Sequence, residues 1–120
     1  MFDDIVAAFE LLDATNSDNY SPRGAFVGCL LRLEGHDFMD YRIDNDGTMT
    51  GGSDGCINLN EADNLGLPSC ILLYDIPTIY ANHSAHISLA DFFVIAAEAA
   101  MARAATDYNA DDQFAEGTLA

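Results

Sequence analysis

Arg32 and His36 stand four residues apart in the apolar stretch "LLRLEGHDFMD" (30–40), within a chain whose four basic residues are all arginine. On a helix this spacing stacks the two side chains on one face, with Cβ atoms about 6 Å apart, so both can point into one pocket. A histidine held neutral can take a proton from one oxygen of a bound peroxide and return it to the other, while a permanently charged guanidinium stabilises the departing oxygen. The chemistry open to such a pair is heterolysis of an O–O bond. An isolated Arg-x-x-x-His is ordinarily structural, an ion pair beside a solvent-facing helix residue. The pair therefore takes its meaning from the elements and motifs around it.

Those elements read as helices. "FDDIVAAFELLDA" repeats apolar residues at Ile5, Phe9 and Leu12 with acids in the first turn, which predicts a helix over 3–14. "TNSDNYSPRG" has loop composition, and Pro22 fits an early helical position before a second helix over 22–39. From Asp40 to Asn64 the chain is rich in Gly, Asp and Asn and too long for an idle connection, with "DNDG" (44–47) reading as a turn. "LPSCILLYDIPTIYANH" predicts short helical pieces interrupted near Pro77. "ISLADFFVIAAEAAMARAA" opens on Ser88 and Asp91 as a capping pair and predicts a buried helix over 88–105. No strand alternation is visible, so the expected class is all-α, with 106–120 an irregular tail.

Composition bounds the partners. The 120 residues suit one domain, half of them are apolar, and a formal net charge of −16 repels phosphate backbones and anionic lipid, which excludes nucleic acid. The same charge raises the weight of bound calcium or of a covering protein partner. No apolar run reaches the roughly 18 residues of a membrane span, and Met1 is followed by "FDDIV" instead of a basic region and hydrophobic signal, so a soluble chain is expected. Cys29, Cys56 and Cys70 lack zinc-ligand spacing and permit one internal disulfide, for which Cys56 with Cys70 is the expected pair. Asn82-His83-Ser84 is a formal glycosylation acceptor and favours an extracellular or organelle-lumen setting. His83 is expected to face solvent and His86 to lie in a loop.

"LLRLEGHD" resembles the distal helix of the plant, fungal and bacterial haem peroxidase superfamily, whose pattern is Arg-Leu-x-(Phe or Trp)-His-Asp; Arg32, Leu33, His36 and Asp37 match it in order. "GGSDGCI", "DNLGL" and "ISLADFFVIAAEAA" are similar to three further segments of that superfamily, in the same order along the chain. The resemblance implies a catalytic set of Arg32, His36 and Asn64 beside haem b, with Asn64 accepting the Nδ1 proton of His36 so that Nε2 is left as a base. It also implies a calcium site made by Asp37, the Gly52 carbonyl and Asp54. Two positions depart from the pattern. Cys56 replaces the usual serine ligand, and a thiol suits a hard cation poorly, so a disulfide could brace the loop instead. Gly35 replaces an aromatic ring, which widens the pocket, weakens the helix by about 1 kcal/mol, or marks loss of the haem.

The likeness spans about residues 3–105, the distal half of such a domain, so 1–105 is expected to be completed by a second protein chain that supplies the proximal iron ligand. The implied activity is reduction of hydrogen peroxide coupled to oxidation of a small reductant. Two other classes compete with it. One is a non-catalytic, peroxidase-like structural subunit. The other is an EF-hand calcium protein, since "DGCINLNE" reproduces the second half of that loop but leaves Thr50 and Gly52 at its first and third positions, where carboxylates belong.

Overall fold

Ser21 caps the helix that carries the Arg32–His36 pair: its hydroxyl accepts the Gly24 N–H at 3.1 Å and Pro22 occupies the first turn, where its missing N–H costs nothing. The computed structural model describes residues 1–15 and 20–110, with side chains to 108. Five helices dominate: α1 (Phe2–Glu10), α2 (Pro22–Phe38), α3 (Leu67–Leu73), α4 (Ile76–Ala81) and α5 (Leu89–Ala110). The fold is mostly helical, as expected, with one addition. Strands β1 (Arg42–Ile43) and β2 (Met49–Thr50) form a small antiparallel hairpin, Arg42 opposite Thr50 and Ile43 opposite Met49. "DNDG" makes its turn, with Gly47 N–H donating to the Asp44 carbonyl at 2.9 Å.

α2 and α5 are the central packed pair. Phe26, Leu30 and Leu33 of α2 join Phe92, Ala96, Ala99 and Ala100 of α5 in one core, to which α1 adds Ile5 and Phe9. The alanines let the helix backbones approach closely, and each buried Phe or Leu contributes about 1.5–3 kcal/mol. Ser88 caps α5 as expected: its hydroxyl accepts the Asp91 N–H at 3.0 Å and donates to the Asp91 carboxylate at 2.8 Å. Between α3 and α4 the chain turns at Asp75, with φ of 50°, and Pro77 falls in the first turn of α4 instead of inside a helix.

Four expectations require correction. α1 ends at Glu10 and not near 14, because the Asp13 carboxylate takes the Thr15 N–H at 2.8 Å and Arg23 Nε donates to the Leu12 carbonyl at 3.2 Å, drawing the chain out of the helix. The tail does not start at 106: α5 continues to Ala110, held by an Arg103–Asp107 pair one turn apart and by Thr106 Oγ1 donating to the Ala102 carbonyl. Residues 111–120 lie outside the described residues. The disulfide is Cys29–Cys70, not Cys56–Cys70. α3 lies against α2 and brings Cys70 to the buried Cys29, whereas Cys56 is exposed and its thiol is pushed up first by the Asp54 charge beside it. His83 does not simply face solvent; its Nε2 lies 2.6 Å from an Asp4 carboxylate oxygen and ties α1 to the turn before α5, while His86 sits exposed in that turn.

Among the described residues no helix is long and apolar enough to cross a membrane.

Candidate functional site

α2 has two faces of opposite character. Phe26, Cys29, Leu30, Leu33 and Asp37 point into the core. On the other side, Gly28, Arg32, Gly35, His36 and Met39 fall along one stripe by helical spacing. The two glycines leave that stripe open: a Cβ at Gly28 would meet nothing within 4 Å, and one at Gly35 only the Met39 methyl, at 3.9 Å.

His36 and Asn64 are joined across 28 residues of sequence, His36 Nδ1 lying 2.6 Å from Asn64 Oδ1. Asn64 Nδ2 donates to the Asn58 carbonyl at 2.8 Å. A carbonyl only accepts, so the amide nitrogen must face Asn58 and the amide oxygen must face the imidazole. An amide oxygen also only accepts, so Nδ1 carries the hydrogen and, in the neutral ring, Nε2 keeps the lone pair. Asn64 is 7% exposed, so water competes little for this bond.

Arg32 approaches the same segment one turn earlier. Its Nη2 donates to the Leu65 carbonyl at 3.1 Å. Gly66 follows with φ of 92°, and a Cβ there would stand 3.4 Å from Arg32 Nη1, so glycine serves both the turn and the passage of the guanidinium. Arg23, Arg42 and Arg103 each make an ion pair with a carboxylate; Arg32 makes none among the described residues. A guanidinium that pairs with no carboxylate among the described residues has its charge available to something else.

The three residues expected to hold calcium are drawn into one loop structure. Asp37 is 1% exposed and both its carboxylate oxygens lie near the Gly55 N–H, at 2.8 and 3.1 Å. Gly55 has φ of 80° and a Cβ would meet Leu89 at 2.9 Å, so only glycine brings that N–H to Asp37. Burial pushes the Asp37 carboxyl above its ordinary value, opposed by the Gly55 hydrogen bond and reinforced by the charges of Asp54 and Asp40. The Gly52 carbonyl accepts the Asp54 N–H at 2.6 Å, and Asp54 Oδ1 accepts the Cys56 N–H at 2.8 Å. Among the described residues no group of three His, Cys, Asp or Glu side chains is placed to share a metal ion. The segment is bounded by β2 and a 3-10 turn (Ala62–Asn64), not by the two helices of an EF-hand.

A cavity of about 430 Å³ opens beside His36, between the end of α2, the hairpin and residues 57–64; Arg32 does not line it. Leu65 is 82% exposed and Leu72 77%, so large apolar side chains stand uncovered on the segment that receives Arg32 and on α3. Neither His83, engaged with Asp4, nor the exposed His86 shares the His36 site. The motif residues were legible in the sequence, but the carbonyls of Asn58 and Leu65 that orient them were not, since a backbone acceptor leaves no side-chain signature.

Comparison with known proteins finds no family model, no curated protein and no solved structure that matches the chain.

Proposed function

We propose that this chain supplies the acid–base half of a haem peroxidase, with hydrogen peroxide as oxidant and a small reductant as the second substrate. The observation that carries the reading is the fixed imidazole, with Nδ1 committed to Asn64 and Nε2 left as a base. His36 takes the proton from the near oxygen of peroxide and delivers it to the far one. Arg32, which pairs with no carboxylate among the described residues, stabilises the negative charge that develops on the departing oxygen. Haem, if held beside Arg32 and His36, would supply the two-electron redox chemistry that peroxide reduction requires. The glycine-floored stripe of α2 fits a flat macrocycle, as no Cβ stands above it at Gly28 or Gly35.

Among the described residues neither His83, engaged with Asp4, nor the exposed His86 lies beside that stripe, so a histidine to hold haem would come from a second protein chain. The exposed Leu65 and Leu72 support such a partner by offering it apolar surface. The Cys29–Cys70 disulfide supports an oxidising compartment, extracellular or luminal. Calcium, where bound, would be held by Asp37, the Gly52 carbonyl and Asp54, a set of hard oxygen donors, and the Cys56 thiol is a poor ligand for it.

The test is reconstitution of the full chain with ferric haem and free imidazole as surrogate axial ligand, following the Soret band and peroxide consumption. The expected result is a Soret band that shifts on adding peroxide, with His36→Ala slowing consumption about 10²–10⁴-fold. A chain that binds no haem, or a variant as fast as the parent, would return the protein to the structural-subunit reading, which Gly35 and Cys56 favour.

A further inference from the structure

We infer that the cavity beside His36 binds a small organic cation carrying a hydroxyl, and that Glu61 and Asp63 select its charge. At about 430 Å³ the cavity falls within the range of small-molecule sites, roughly 300–1,000 Å³. Met39 and Ile57 contribute apolar wall, enough for one ring, and His36 lines the same space. With Nδ1 taken by Asn64, Nε2 is the ring nitrogen left to accept a hydrogen bond from a ligand hydroxyl.

The lining carries a net negative charge. Asp40, Glu61 and Asp63 face the cavity against a single guanidinium, Arg42, and that guanidinium is already held by Thr50 Oγ1 at 3.0 Å and by the Asp44 carboxylate at 3.5 Å. Each exposed carboxylate attracts a cation only weakly, but the three act together, and on the order of tenfold preference for a cation over a matched anion follows. Arg32 does not line this space. Identifying the ligand as the reductant rests on the proposed peroxidase activity; the binding preference does not.

Three phenols that differ only in the charge of the side chain provide the test: tyramine (cationic), 4-ethylphenol (neutral) and 4-hydroxyphenylacetate (anionic). Each is titrated into the full chain without haem, following the Asn58, Glu61 and Asn64 amides and the His36 ring by NMR. Tyramine is expected to bind about tenfold more tightly than 4-hydroxyphenylacetate at low salt, the ratio shrinking at about 1 M salt, where the Debye length is near 3 Å. Glu61→Gln with Asp63→Asn is expected to cut the ratio to about threefold or less. Equal binding of cation and anion, an unchanged ratio in the double variant, or no shift with any probe overturns the inference. A preserved ratio in a chain that fails haem reconstitution removes the peroxidase reading and leaves the cation site standing.

Discussion

The arginines divide between two regions with opposite uses of the same side chain. At the junction of α1, α2 and α5, Arg23 and Arg103 converge on Asp107, Arg103 also pairs with Glu10, and both guanidinium groups lie over the Phe9 ring, at 4.9 and 5.6 Å. There the charge is neutralised and the apolar stems pack, which is a stabilising arrangement. At the other region, among the described residues, Arg32 hydrogen-bonds a carbonyl and its neighbour His36 an amide. The first region satisfies its cations; the second keeps a cation and a base uncommitted. That contrast separates a structural clasp from the pair proposed to be reactive, and it can be broken experimentally.

The largest effect is expected at the bond that holds the reactive region together. Cys29 lies three residues before Arg32, and its disulfide to Cys70 closes a loop of 41 residues, worth about 4 kcal/mol by loop-closure entropy. Replacing both cysteines by alanine should lower unfolding stability by about that amount in denaturant titration. Hydrogen exchange should rise first at 64–70, leaving the Phe9 clasp protected; equal loosening of both regions would erase the distinction between them.

Next in size is the contrast between the arginines. Arg103→Ala should lower stability by an amount resolved in thermal unfolding, since it removes two ion pairs and the cover over Phe9. Arg32→Ala should change stability by less than about 0.5 kcal/mol while slowing peroxide consumption in the reconstituted chain about 10²–10³-fold. A stability loss at Arg32 as large as at Arg103 would mark it as structural.

Gly35→Ala should stabilise the chain by about 0.5–1 kcal/mol, because the site is helical and a Cβ would find only the Met39 methyl, at 3.9 Å. Thermal unfolding measures it, and a loss would mean that the stripe is already covered in solution.

The smallest effect is at the Asp4–His83 tie. The His83 hydrogen bond, with the terminal amine adding to it, holds the Asp4 carboxyl below its ordinary value of 3.8. A depressed folded value contributes stability that is present above 3.8 and lost as pH falls through the folded value. The gap between the parent and Asp4→Asn should therefore close in acid and be full near neutrality; a gap that widens in acid would contradict the tie.

What the sequence revealed and what it hid follow from the range of the forces involved. α2 and α5 were legible because Pro22 and the Ser88–Asp91 cap mark their starts locally. The end of α1 and the Cys29–Cys70 pairing were not, since each depends on a partner brought from another part of the fold. The two-residue strands were too short to alternate visibly. Within the site, Arg32, His36 and Asn64 could be named from motif order, whereas the polar cavity and its acidic lining emerged only when the hairpin folded back over the end of α2.

The central claim is that His36 is a base held at one nitrogen, and long-range ¹H–¹⁵N correlation of its ring nitrogens measures this directly. The account expects a protonated Nδ1 and an unprotonated Nε2 in the neutral ring, with a mixture of tautomers in Asn64→Ala. A hydrogen on Nε2 in the parent chain would contradict it.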